Sequence, residues 1–300
     1  MRQTRRLFAA VLAITFIAFC AGSCRKFDGD QTIPAYLRID TISLTTDYFT
    51  EGAGTHNITD AWVFVNDQLI GAFELPATFP VLATGVNKVE IRPGIKINGI
   101  SATRAPYPFY KPYIIEAFNF VEDSVQVLHP TTSYYGTSNF AWLEDFEGSS
   151  ISLEKTSKSD TTINKTAPAN SPEAWLSEYS AYSGKIHLTG DFKKFEVATF
   201  NSYVLPGKGA PVFLEMDYKC DRAFGVGLFV KNSNTILTLP LVIMNKTTGW
   251  KKIYINLGPT ITDYPNAQYI KVYFDSDLGT EATDAQYFID NLKIVYRNNP

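Results

Sequence analysis

Apolar and polar residues alternate through Ala35-Tyr36-Leu37-Arg38-Ile39-Asp40, the period-two pattern of a strand with one buried face. Ala61-Trp62-Val63-Phe64-Val65 predicts a second strand. Asn66-Asp67 follows it, and both residue types tolerate left-handed backbone, so the pair marks a tight turn. Gln68-Leu69-Ile70-Gly71-Ala72-Phe73 returns as the partner strand. Leu75-Pro76 closes this hairpin, because proline has no N–H to give to a ladder. A turn at Thr84-Gly85-Val86-Asn87 leads into Lys88-Val89-Glu90-Ile91-Arg92, and Val125-Gln126-Val127-Leu128 reads as the last strand of a first domain over residues 32–130. His129-Pro130-Thr131-Thr132-Ser133 marks its boundary, with residues 131–137 as a linker.

The same pattern fills residues 138–298. Pro211 to Cys220 alternates, with Val212, Leu214, Met216, Tyr218 and Cys220 on one face and Glu215, Asp217 and Lys219 on the other. Ile253, Ile255 and Leu257 point inward from the stretch that starts at Gly249, and Tyr287 to Tyr296 closes the chain. At least eight strand-length segments separated by turn signals predict a sandwich or jelly roll. The expected fold is therefore all-β: an N-terminal β-sandwich followed by a C-terminal jelly-roll domain. Thr156 to Asn170 has no apolar periodicity and reads as a flexible loop. Tyr107-Pro108-Phe109-Tyr110-Lys111-Pro112-Tyr113 cannot be a central strand, and its four aromatics predict packing across the sandwich or against the second domain, with an exposed glycan- or partner-binding face as the alternative.

Composition supports the β reading: 21 Phe, 17 Tyr and 4 Trp accompany abundant Thr, Val and Ile. Ahead of the alternating region the chain opens with Arg2, Arg5 and Arg6, then an uncharged run from Leu7 to Ala21 that is short for a membrane span. That combination is a secretory signal over residues 1–23. The run ends Ala21-Gly22-Ser23-Cys24, which resembles the lipobox of bacterial lipoproteins, with Ala21 where Leu is usual. The resemblance implies lipidation of Cys24, a short tether over residues 24–31, and membrane attachment through the lipid anchor at the outer membrane, on the cell surface or its periplasmic face. Removing residues 1–23 takes Lys+Arg from 27 to 24 against 30 Asp+Glu, so the net charge moves from −3 to −6. An acidic chain argues against nucleic acid as a partner. Cys220 is then the one remaining free thiol, so no disulfide framework exists, and its place in an alternating strand predicts a buried, inert side chain.

The order of strand, Asn-Asp turn, strand, Leu-Pro and strand from Trp62 to Gly94 loosely resembles small surface sandwiches of the PEGA and carboxypeptidase-regulatory type, which act as spacers or supports. Asp145-Phe146-Glu147-Gly148, Tyr182-Ser183-Gly184-Lys185, Gly249-Trp250-Lys251-Lys252-Ile253-Tyr254-Ile255 and Phe288-Ile289-Asp290-Asn291-Leu292 follow one another in the order seen in galactose-binding-like jelly rolls, a group that includes many carbohydrate-binding modules. The whole layout also resembles uncharacterised two-domain lipoproteins of Gram-negative bacteria. The jelly-roll resemblance implies a structural calcium ion held by Glu147 and Asp290, with Asp145 as a further ligand and backbone carbonyls completing the shell. It also implies that Trp250 packs inside.

Candidate catalytic chemistry is thin. His56, His129 and His187 are scattered outside any metal-ligand spacing, and no Gly-x-Ser-x-Gly elbow is present. Glu144, Asp145 and Glu147 form the one tempting carboxylate group, and it coincides with the structural motif above. The expected function is non-catalytic carbohydrate binding, with aromatic faces stacking on sugar rings. Trp175, Tyr179 and Tyr182, within Ser171 to Tyr182, are the candidate platform, and Tyr264 is a further candidate. Ser171-Pro172-Glu173 reads as a helix start. The alternative is a structural or assembly lipoprotein that binds an envelope protein, and a carbohydrate-active enzyme ranks third.

Overall fold

Asn66 and Asp67 both take left-handed backbone, with φ of 48° and 64°, and fold the chain back on itself as their residue types predict. This hairpin belongs to a computed structural model in which residues 33–166, 173–280 and 282–298 are described. The signal segment, Cys24 and the tether 24–31 lie outside the described residues. The N-terminal unit contains β1 (Ala35–Ile39), β2 (Ser43–Thr45), the short helix α1 (Tyr48–Glu51), β3 (Asp60–Val65), β4 (Gln68–Glu74), β5 (Ala77–Val81), β6 (Gly85–Lys96), β7 (Arg104–Pro106), β8 (Tyr113–Phe120), β9 (Val125–Leu128) and β10 (Thr131–Ser133). One layer has the order β5-β1-β9, and the other runs β4-β3-β6 with β7 and β8 both pairing β6. Leu37, Ile39, Val63, Val89 and Ile91 fill the space between the layers.

The stretch read as a linker is not free chain. Strand β10 pairs parallel with β2, and Tyr134 is buried in the N-terminal core. The local sequence carries no signal for this, because the partner strand lies some ninety positions earlier.

The rest of the chain forms β11 (Asn139–Glu144), β12 (Leu153–Lys155), β13 (Asn164–Lys165), β14 (Gly184–Thr189), β15 (Lys194–Thr199), β16 (Val212–Cys220), β17 (Phe224–Asn232), β18 (Thr235–Met244), β19 (Lys251–Asn256), the helix α2 (Gly258–Asp263), β20 (Ala267–Asp277) and β21 (Asp284–Tyr296). They make an antiparallel jelly-roll sandwich. Its front sheet runs β13-β14-β21-β16-β19, with β11 also on β21, and its back sheet runs β12-β15-β20-β17-β18. Val212, Leu214, Met216, Tyr218 and Cys220 all point into the core between the sheets, as their alternation predicts. Burial pushes the Cys220 thiol up to about 11, which keeps it protonated and unreactive at neutral pH. Trp142 is also core.

Two loop expectations need correction. Ile163 is buried in the jelly-roll core and Asn164–Lys165 pairs with β14, so the polar stretch after Thr156 is anchored over part of its length. Residues 167–170 lie outside the described residues. The helix expected from Ser171 is not found in its described part, since residues 173–183 are turns joined by a Ser177–Ser180 bridge. Among the described residues no helix is long and apolar enough to cross a membrane.

The two units share a core. Phe213, Tyr254 and Val295, from the outward face of the front sheet, pack with the N-terminal cluster. Tyr107 meets Phe213 edge-on at 5.3 Å and Tyr254 at 4.8 Å. The aromatic stretch 107–113 therefore packs against the second unit, as one of its two readings expected.

Candidate functional site

Strand β16 turns Phe213, Glu215, Asp217 and Lys219 away from its own core. At the Phe213 end the N-terminal unit seals this face. Glu215 is completely buried. Its carboxylate accepts hydrogen bonds from Tyr107 Oη at 2.8 Å and from Tyr134 Oη at 2.8 and 3.0 Å. Burial, reinforced by the neighbouring Glu215 charge, drives both phenols well above their ordinary range, so they remain donors. Lys252 Nζ lies 3.7 Å from both Glu215 and Asp217 and offsets part of their charge. Asn57 N–H donates to Tyr254 Oη at 3.0 Å, and Lys293 Nζ donates to the Ala53 carbonyl at 2.7 Å, tying the loop after α1 onto the sheet.

At the other end the face opens into a cleft of about 610 Å³. Its walls are the loop around Thr55–Asn57, the turn at Gly99, and the indoles of Trp175 and Trp250. Trp175 and Trp250 meet edge-to-face at 6.0 Å. Ser183 Oγ accepts from Trp175 N–H at 2.8 Å, and Ser180 Oγ donates to the Trp175 carbonyl at 2.7 Å, so a segment without helix or strand still holds its tryptophan in place. Both indole N–H groups are buried without an acceptor among the described residues.

A second hollow of about 500 Å³ adjoins the cleft and shares Thr55, His56 and Trp175 with it. Tyr48 and Tyr179 border it, with stacked rings 4.7 Å apart. Tyr48 Oη donates to Asp145 at 2.6 Å, which fixes its ring, while Tyr179 stays 52% exposed. Burial, then the nearby Lys252 charge, lowers the His56 pKa, leaving a neutral imidazole at pH 7 that can donate or accept. The cleft thus combines aromatic faces with hydroxyl, amide and imidazole groups.

Of the candidates drawn from the sequence, Trp175 and Tyr179 come together here. Tyr182 does not: it packs on the jelly-roll core with Lys165 Nζ 5.1 Å over its ring. Tyr264 borders a separate hollow of about 170 Å³ beside Tyr203 and Lys208. Trp250, expected inside, instead stands half-buried on the outward face and lines the cleft. It precedes β19, where the face it occupies is left uncovered by the N-terminal unit. Tyr48 and His56 escaped sequence reasoning, because they lie outside any strand pattern and meet residues more than a hundred positions away.

Three of the four jelly-roll motifs converge beneath this site. Phe146 is fully buried with a left-handed backbone (φ 62°), and its ring lies where a Cβ on Gly184 would collide at 2.4 Å. Glu147 Oε1 accepts from the Ala181 and Tyr182 amides, both at 2.7 Å. Asp290 accepts from Ser183 Oγ at 2.5 Å and from Asn291 N–H at 2.7 Å. Burial raises the Asp290 carboxyl to about 8. Asp145 accepts from Tyr48 and from the Glu147 amide. The oxygens expected to hold calcium are thus aimed at hydrogen-bond donors, and no group of three His, Cys, Asp or Glu among the described residues is placed to hold a metal ion. This arrangement does not fit a calcium site. Glu144 is likewise held by Phe146 N–H and by Ser152.

Comparison with known proteins adds a distant likeness. No protein-family profile matches the chain, and no curated protein matches it. Among solved structures it is similar to a family 29 carbohydrate-binding module, a D83A mutant complexed with mannohexaose, at 12% identity and a TM-score of 0.33, over 53% of this chain and 92% of that one. It is similar also to the family 11 carbohydrate-binding module from Clostridium thermocellum in complex with a β-1,3-1,4-mixed-linked tetrasaccharide, at 12% identity and a TM-score of 0.35, over 54% and 98%.

Proposed function

We propose that this chain is a lipid-anchored envelope protein that binds carbohydrate without catalysis, and that the cleft between its two units is the binding site. The supporting observation is the joining of Trp175, Trp250 and the Tyr48–Tyr179 stack around a polar hollow. Sugar rings present C–H faces to aromatic rings and hydroxyls to amides and imidazoles, and both kinds of surface meet here. The carboxylate at the cleft floor, Asp217, is already engaged by Asn291 Nδ2 at 2.9 Å and by Lys252, which favours binding over acid–base chemistry. The lipobox-like run Ala21-Gly22-Ser23-Cys24 supports a lipid anchor at the outer membrane. A pull-down on insoluble polysaccharides and a glycan array with residues 27–300 test this reading. Specific retention that Trp175→Ala abolishes supports it; no binding by folded protein removes it.

A second reading, capture of an envelope protein, is favoured by Phe49 and Leu176, which stand 86% and 66% exposed near the same hollow. Phe49→Ser with Leu176→Ser would weaken a protein partner and spare glycan binding. The anchor is tested by Cys24→Ala, which is expected to release the protein from the membrane fraction.

A further inference from the structure

One end of the N-terminal unit carries a group of exposed aliphatic side chains that its own fold does not use. The register of the strands brings them together. Ala35 pairs with Val81 and Tyr36 with Val125, so Ile33, Leu82 and Val125 lie at the same end of the β5-β1-β9 layer. Gly85 pairs with Phe120 and Val86 with Asn119, which puts Val86 and Val121 at that end of the other layer. The turn that leads from β8 into β9 is tied to the start of β1 there: Tyr36 N–H donates to the Ser124 carbonyl and Asp123 N–H to the Pro34 carbonyl. Leu82 is 74% and Val86 67% exposed, and Ile33, Val121 and Val125 are each about half exposed. Aliphatic residues scattered singly need no explanation, but five at one end of a sandwich mark a contact surface.

The chain enters the fold at this same end. Ile33 follows Cys24 by nine residues, a stretch that spans at most about 30 Å when extended. Whatever Cys24 is attached to therefore stays within reach of this end. We propose that this aliphatic end rests on the phospholipid bilayer, as a second contact beside the lipid anchor; the inference rests on the anchor at Cys24 and not on the glycan reading. Glu122 and Asp123 occupy the turn between Val121 and Val125, so the contact is made in the headgroup layer, with the aliphatic tips reaching the acyl boundary. Strand β6 starts at this end with Gly85 and runs 12 residues to Lys96 beside the cleft, a rise of about 37 Å. The contact would thus hold the cleft upright and clear of the membrane.

The test uses the full lipidated chain in vesicles of phosphatidylethanolamine and phosphatidylglycerol. Leu82→Cys and Val121→Cys are each labelled with an environment-sensitive fluorophore, and Ile236→Cys, exposed on the distant strand β18, serves as control. Flotation comes first. If wild-type protein does not float with the vesicles, the anchor reading is wrong and the inference falls with it. If it floats, labels at 82 and 121 are expected to shift to the blue and to be quenched severalfold by nitroxide lipids, while the label at 236 is not. Labels at 82 and 121 that behave like the one at 236 would overturn the contact and leave the anchor standing. A blue shift without quenching by nitroxide lipids would put protein rather than lipid on this surface and would also overturn it.

Discussion

The outward face of the front sheet has two halves with opposite fates. Around Phe213 and Glu215 it is covered by the N-terminal unit, and the buried Glu215 carboxylate is met there by the Tyr107 and Tyr134 hydroxyls. Around Trp250 and Lys219 the same face is left open, with a cleft above it and the indole N–H groups of Trp175 and Trp250 without an acceptor among the described residues. The seam between the halves is the cross-strand pair Asp217 and Asp290. One surface thus serves as an adhesive at one end and is left open as a cleft at the other. The difference lies in what packs on it, not in the strands that make it.

The largest expected effect tests the closed half. Glu215→Ala leaves Lys252 without part of its counter-charge and two buried phenols without an acceptor, and should cost about 3–5 kcal/mol. Urea denaturation of residues 27–300 reads this directly, and Glu215→Gln, which keeps an acceptor, should cost less. A loss as small as that of a surface mutation would mean that the two units are not bound through this contact.

The open half should respond in binding and not in folding. Trp175→Ala is expected to weaken polysaccharide binding at least tenfold, about 1.4 kcal/mol, while the denaturation midpoint changes little. A large drop in stability with unchanged binding would reverse the assignment and make Trp175 a structural anchor.

At the seam the readout is pH. Asp290 has a native pKa of about 8 against an ordinary value of 3.8. Between these values the native state keeps a proton that the unfolded state has lost, so this residue's contribution to stability falls as pH rises from 4 to 8. Asp290→Asn should remove that slope, at most about 1.4 kcal/mol per pH unit. Parallel pH profiles for the two proteins would show that Asp290 is not buried as described. The smallest expected effect is none: a chelator should leave the melting temperature unchanged, because an ion bound only to the native state would have to stabilise it. A clear drop on chelation would restore the calcium site at Glu147 and Asp290.

Much of the fold was legible along the chain. The period-two pattern placed the inward faces of β1, β3 and β16, and Asn66-Asp67 placed the first hairpin, because side-chain alternation and turn chemistry are local properties. The candidate site was legible in part. Trp175 and Tyr179 stood out as aromatics in a polar segment, while Tyr48 and His56 carried no local signal, and Trp250 was assigned to the wrong side of its sheet. Tyr182 was singled out with Trp175 and Tyr179 from the same aromatic segment but packs on the jelly-roll core, and the motif residues Asp145, Glu147 and Asp290 accept hydrogen bonds beneath the cleft.

By itself the sequence determined which residues form strands and which face of each strand seeks an apolar layer, since hydrophobic periodicity acts within a few neighbouring residues. It could not determine what the other face meets. Glu215 and Asp217 read as solvent-facing positions, yet the first is sealed under Tyr107 and Tyr134 and the second is also buried, at the cleft floor. Those partners lie about eighty to a hundred residues away, and only the packing of one unit on the other decides which charges are buried and which aromatics are left lining an open cleft.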